Sequence, residues 1–162
     1  MIIRAETPED RTAISSLIER AFGRADEARL VDDLRRDGDV SLSLVATEGR
    51  QIIGHVLLSR MTAPFSALGL APLAVDENYR GRGVAAALIQ AAIEEARAMQ
   101  ISAIFVLGNP TYYGRFGFRA HLAKGFVSPY AGPYLQVCPL IDPLPETAGQ
   151  IAYAPAFSRL GA

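Results

Sequence analysis

The sequence predicts a mixed α/β fold around one central, mostly antiparallel sheet, and three observations carry that expectation. Helical and strand patterns interleave in the order β, αα, three strands, α, β, a helical turn and further β. The three consecutive strand patterns are joined by short turns, which makes them an antiparallel meander. No repeat or low-complexity segment interrupts the order, and 162 residues suit one domain, 1–162.

Each element has a local cause. "MIIRAE" reads as an opening strand. Thr7 is placed to cap a first helix, with Pro8 at its first position and Glu9 and Asp10 in the first turn. Ile14, Leu17, Ile18, Ala21 and Phe22 recur at helical spacing and predict one buried face; Gly23 ends the helix. A second helix, about Asp26 to Arg36, turns Leu30, Val31 and Leu34 inward. "SLSLVATE", Gly49-Arg50 and "QIIGHVLLSRM" predict a hairpin with a type II′ turn. "SALGLAPLAV" is the third strand of the meander, and Pro72, lacking an N–H, predicts a bulge there. Val84 to Met99 is an alanine-rich helix with Ala85, Leu88, Ile89, Ala92, Ile93 and Ala96 on one face. "ISAIFVLG" reads as a strand buried on both faces. Asn109 and Pro110 repeat the cap-plus-proline signal and open a very short helix before "RFGF". A proline-rich C-terminal part, 125–162, offers strands at "PYLQVCPL" and "GQIAYAPAF".

Composition narrows the function. Lys plus Arg number 16 and Asp plus Glu 17, so no global field attracts nucleic acid or an anionic membrane, and any anion site must be local. The one cysteine, Cys138, sits in apolar "LQVCPL" and reads as a buried inert thiol in a reducing, cytoplasmic setting. The N-terminus becomes acidic too early for a signal peptide. No apolar run approaches the ~18 to 20 residues that span a bilayer. His55 and His121 have no second ligand at usable spacing, so no metal is expected. His55, in an apolar strand, reads as a hydrogen-bonded core residue. The serines lack a nucleophile elbow.

The stretch that points to chemistry is "VDENYRGRGVAAALIQ", Val75 to Gln90. A loop leaving a strand and entering a helix presents unpaired N–H groups and the positive end of the helix dipole to an anion. Gly81 and Gly83 let the backbone approach the anion, and Arg80 and Arg82 add charge. A plain solvated glycine turn has the same wording. Gly81 to Ala86 also spells G-x-G-x-x-A, but Asp76 to Arg80 separate it from the strand, and "IFVLGNP" supplies no acid for a ribose. A Walker A loop is excluded, since no Gly-Lys-Ser/Thr follows.

Arg80-Gly81-Arg82-Gly83-Val84-Ala85 after "LAVDENY", followed by Tyr112 to Phe118 ("YYGRFGF"), resembles the GNAT superfamily of N-acetyltransferases. With "GNPTYYGRFGFRA" and the closing "YAPAF", the chain is similar to small bacterial members of that superfamily. The element order matches over about residues 1 to 140. The resemblance implies a sheet splayed between its fourth and fifth strands, with helices on both faces. It implies acetyl-CoA as cosubstrate, with the pyrophosphate on Arg80, Gly81, Arg82, Gly83, Val84 and Ala85. The pantetheine arm would pair around Leu73, Ala74 and Val75, with Asn109 capping the short helix and touching the same arm.

The resemblance further implies that Tyr113, five residues before Phe118, serves the departing thiolate as acid or hydrogen-bond donor. A phenol of pKa ~10 is neutral at neutral pH, as that role demands. Packing of the short helix is the alternative use of Tyr113, and Tyr112 beside it reads as packing or pocket wall. Many relatives carry a glutamate on the central strands to deprotonate the amine, and "SALGLAPLAV" has no carboxylate. Glu27 is the candidate base; its other reading is an exposed first-turn carboxylate favouring the helix dipole. The expected function is direct acetyl transfer to a primary amine of a small molecule or peptide. Loss of the strand carboxylate keeps a non-catalytic acyl-CoA-binding module as the alternative. Homodimers are common in the superfamily, so a homodimer is among the expected assemblies.

Overall fold

The structure, a computed structural model, describes residues 1–160. Its elements follow the predicted order: β1 (Ile2–Ala5), α1 (Arg11–Phe22), α2 (Asp26–Arg36), β2 (Val40–Glu48), β3 (Gln51–Thr62), β4 (Ala67–Val75), α3 (Val84–Ala98), β5 (Ala103–Leu107), α4 (Pro110–Gly114), β6 (Phe126–Val127), β7 (Leu135–Pro139), β8 (Gly149–Gln150) and β9 (Ala152–Tyr153). One sheet of seven strands runs β1-β2-β3-β4-β5-β7, with β9 joined to β3; β4 and β5 alone are parallel neighbours in it. β6 and β8 form a separate two-stranded ribbon.

The two sheet faces separate the core. On one face α3 lays Val84, Leu88, Ile89 and Ala92 over Leu44, Ala46, Ile53 and Val56. Gly54 makes this approach possible: a Cβ there would come within 2.8 Å of Val84 and 2.9 Å of Leu88. On the other face Ile14, Leu17 and Ile18 of α1 and Leu30, Val31 and Leu34 of α2 meet Val45, Leu57 and Ala74. A third cluster under the C-terminal segments centres on Phe105 and Phe126, edge to face at 5.5 Å between centroids.

Local signals explain the boundaries. Thr7 and Asp10 form a capping box around a 3-10 turn, Pro8–Asp10, that leads into α1. Gly23 ends α1 in the left-handed region at φ 70°. Gly49 at φ 59° is followed by an Arg50 outside that region, as a type II′ hairpin requires.

Some expectations need correction. Phe22 continues the apolar spacing of α1 but is 41% exposed, because it lines an open cleft instead of the core. Leu107 is 40% exposed, because β5 outruns its pairing with β4. "GQIAYAPAF" is not one strand: it divides into β8, β9 and a 3-10 turn, Pro155–Arg159, that begins at its proline. His55 is a fully buried core residue. Ser43 donates to Glu6, so its oxygen must accept from His55 Nε2–H at 2.9 Å, which fixes the neutral tautomer.

Candidate active site

β4 and β5 pair only from Ala67 opposite Ala103 to Gly69 opposite Phe105. Beyond that point β5 stays with β7, through Val106–Gln136 and Leu107–Leu135. β4 stays with β3 as far as Val75 opposite Gly54. The strands therefore part, and Leu70 to Val75 borders a gap. At the parting, Ala71 and Pro72 together oppose Leu57, between the pairs Val56–Leu73 and Leu58–Leu70. This is the bulge that Pro72 predicted, and a strand leaving its neighbour loses little by lacking an N–H. Leu73 and Val75 are half-buried along the gap, and Ala74 packs into the core on the α1 side.

The far end of the gap carries the glycine-arginine loop that leads into α3. Asp76 accepts from the Asn78 N–H at 2.9 Å and closes a 3-10 turn, Glu77–Tyr79, which accounts for the spacing between strand and glycines. Gly81 and Gly83 lie at φ 76° and 79°, and a Cβ on either would meet nothing within 4 Å, so their backbone faces open space. Gly83 caps α3, whose first-turn amides have no intrahelical partner. Arg82 stacks over Tyr79 at 5.2 Å from its centroid, while Arg80 is exposed beside it. Val84 turns inward under Gly54, and half-buried Ala85 keeps the helix start narrow.

At the near end the gap opens into a cleft of about 370 Å³. Ala71 and Pro72 of the bulge line it, and so does Tyr113. Asn109 Oδ1 accepts from the amides of Thr111 at 2.8 Å and Tyr112 at 3.4 Å, and so starts α4. α4 then carries Tyr113 back over Gly108, where any side chain would collide with its ring. Phe118 and Tyr112 hold that ring edge to face at 5.6 and 5.2 Å. Burial first, and then Tyr112, push the Tyr113 phenol up to about 12, so it is a neutral donor across the working pH range. Tyr112 itself stacks with Arg115 at 4.5 Å.

Glu27 also lines the cleft. It is 5% exposed, which replaces the reading of an exposed first-turn carboxylate. Arg24 grips both oxygens, Nε to Oε1 at 2.9 Å and Nη2 to Oε2 at 2.5 Å. A carboxylate has about four acceptor sites, so Glu27 retains capacity toward the cleft. Arg24 and Glu27 stand at the i,i+3 spacing across the start of α2, a pairing signal that the sequence carries.

Residues that sequence reasoning did not assign to the site complete it. Phe22, Tyr130, Tyr153 and Phe157 line the cleft from three distant segments. Gln136 of β7, fully buried, donates to the Gly108 carbonyl at 3.0 Å and steadies the backbone beneath Tyr113. Cys138 is buried and unpaired, with burial pushing its thiol up. Among the described residues no group of three or more His, Cys, Asp or Glu converges on a metal position, and no helix is long and apolar enough to cross a membrane.

Comparison with known proteins agrees with this geometry. The profile of the Acetyltransferase (GNAT) family matches residues 11–118. The uncharacterized N-acetyltransferase YhbS of Escherichia coli K12 is 39% identical over 166 aligned positions, covering 98% of this chain and 99% of YhbS. The crystal structure of YhbS in complex with CoA superposes with a TM-score of 0.92 at 37% identity, over 99% of this chain and 93% of that one. A GNAT family acetyltransferase from Brucella melitensis, in complex with acetyl-CoA, gives 0.83 at 30% identity, over 96% and 97%. A sheet splayed after Gly69, a glycine-arginine loop at the head of α3 and a match over these lengths place the chain in the GNAT acetyltransferase family.

Proposed function

We propose that this chain is an acetyl-CoA-dependent N-acetyltransferase that moves the acetyl group directly onto a primary amine. The observation that carries the reading is the parting of β4 from β5 after Gly69. The cradle at Gly81 and Gly83 lies at one end of the β4–β5 gap, and a cleft bearing Tyr113 and Glu27 lies at the other. The relatives crystallised with CoA and with acetyl-CoA support the cosubstrate. The chain acts as one domain in the cytoplasm.

The residues present fit the cosubstrate's chemistry. Amides of the Arg80 to Ala85 loop and the two arginines take the pyrophosphate. Leu73, Ala74 and Val75 offer strand backbone to the amide groups of the pantetheine arm, and Asn109 borders it from the end of β5. An N–H near the Pro72 bulge faces the thioester oxygen and stabilises the charge that develops there.

Within the cleft, Glu27 accepts a hydrogen bond from the incoming ammonium and helps it lose a proton to solvent. The free amine attacks the carbonyl carbon; the N–C bond forms and the C–S bond breaks. Tyr113 gives its proton to the departing sulfur and is reprotonated from water with the proton that the nitrogen releases.

Tyr113→Phe tests this, because it keeps the ring over Gly108 and removes only the donor. We expect kcat to fall about a hundredfold or more, with CoA affinity unchanged by calorimetry. Unchanged turnover would remove Tyr113 from the chemistry. Tight CoA binding by the wild type, without acetylation of any amine in a broad panel, would instead favour an acyl-CoA-binding module.

A further inference from the structure

One part of the cleft wall lies beyond the family match, which ends at residue 118. Tyr130, Tyr153 and Phe157 come from the C-terminal segments. β9 hangs from β3, with Tyr153 opposite Met61. The Tyr153 ring covers Gly69, where a Cβ would sit 2.5 Å from its Cε1. Gly69 is the last β4 residue paired with β5, so this ring marks the vertex of the splay. Tyr130 stands edge-on to Tyr153 at 5.6 Å, and Phe157 is tilted against it at 5.1 Å.

The Tyr153 hydroxyl oxygen is buried and has no hydrogen-bond partner, although the residue lines the cleft. Buried polar atoms are almost always paired, and an orphan on a residue that lines a cavity calls for a partner that the protein itself does not supply. The walls around it are largely apolar, Phe22, Leu30 and Leu70 among them, and Glu27 is the one charged residue among those lining the cleft. Both oxygens of that carboxylate already serve Arg24. One cation therefore has a place to sit, and a second would lie against hydrocarbon.

Resting on the transferase reading above, we infer that the Tyr153 hydroxyl anchors the acceptor nitrogen, and that the acceptor is a primary amine on an apolar, ring-sized body with no second charge. The oxygen accepts a hydrogen bond from the amine N–H at the vertex, within reach of the thioester carbon. The aromatic ring of the acceptor packs among Phe22, Tyr130 and Phe157. Tyr153 is thus a substrate-positioning residue, distinct from the acid role of Tyr113.

The test compares phenethylamine and tryptamine with spermidine and kanamycin, read by free-thiol release in wild type and in Tyr153→Phe. The phenylalanine keeps the ring over Gly69, and the melting temperature checks that the fold is retained. We expect kcat/KM for the two aryl amines to exceed that for the polycations at least a hundredfold. Tyr153→Phe should raise the aryl-amine KM at least tenfold and leave the acetyl-CoA KM alone. Polycations acetylated as efficiently as aryl amines would overturn the inference while leaving the transferase reading intact. So would a Tyr153→Phe variant whose amine KM does not move. Tight CoA binding with no acetylation in a broad amine panel would overturn the transferase reading itself, and the inference with it.

Discussion

The Tyr113 ring lies against the backbone of Gly108, so close that no other residue fits at position 108. The two are joined by the first turn of α4: Asn109 starts the helix, and the chain doubles back to bring the phenol over the end of β5. Gln136 fixes the Gly108 carbonyl from below. Gly108→Ala should therefore push Tyr113 out of register without touching any substrate. The expected result is a fall in kcat approaching that of Tyr113→Phe, with a stability loss of about 1–3 kcal/mol from overpacking. Steady-state kinetics alongside urea denaturation would separate the two effects. A Gly108→Ala enzyme with wild-type kcat would mean that the ring position does not matter.

Glu27 faces the cleft while held by Arg24, and a pH series distinguishes proton transfer from packing. If Glu27 helps deprotonate the amine, Glu27→Gln hurts most at neutral pH, where an alkylamine of pKa ~10 is charged. The defect then shrinks as pH rises and the amine deprotonates unaided. We expect kcat/KM for the amine to fall about a hundredfold at pH 7, with much of it recovered by pH 9.5. Tyr113, pushed up to about 12, stays protonated throughout and imposes no falling limb in that range. A defect of equal size at every pH would assign Glu27 a packing role.

Most of the scaffold was legible because its signals are local. Thr7, Gly23, Gly49 and Asn109 announce caps and turns by their own backbone chemistry, and Pro72 announces the bulge by its missing N–H. The glycine loop was legible for the same reason. The cleft wall was not. Phe22 continues a helical spacing that looks like core, and only the tertiary position of α1 turns it outward. Tyr130, Tyr153 and Phe157 lie in short segments whose pattern carries no information about the Gly69 vertex, more than eighty positions earlier in the chain for Tyr153.

The cradle makes a separable prediction about the cosubstrate. Gly83 sits at φ 79°, where a Cβ is strained, and faces open space where a phosphate would lie. Gly83→Val should weaken CoA binding by at least tenfold, through both the altered backbone and the added bulk. Arg80→Ala should weaken it less, and the loss should diminish at high salt, because that side chain acts from an exposed position. Calorimetry at 50 mM and 500 mM salt with each variant makes the comparison. Gly83→Val binding CoA as wild type does would remove the loop from the site.

His55 predicts how the fold responds to acid. It is fully buried, its Nε2–H donates to Ser43, and its Nδ1 has no partner. Glu6, itself bonded to Arg35 at 2.9 Å and close to Arg11 at 3.5 Å, lies 3.9 Å from the ring. Burial first, opposed by Glu6 and aided by Arg35, pushes His55 down to about 4. Burial alone would raise Glu6, but its bonds to Arg35 and Ser43 outweigh that and leave it lowered. For a group depressed in the folded state, the stabilisation is present above the unfolded value and lost as pH falls through the folded one. For His55 that window runs from about 6.5 down to about 4. A shift of this size corresponds to about 3 kcal/mol, and Glu6 adds loss in the same direction at the acid end. The urea midpoint should therefore drop steeply between pH 7 and pH 4.5, with no chemistry involved. His55→Gln can still donate to Ser43 and does not titrate, so its midpoint should change far less over that range. An equally steep decline in the variant would place the acid sensitivity elsewhere in the fold.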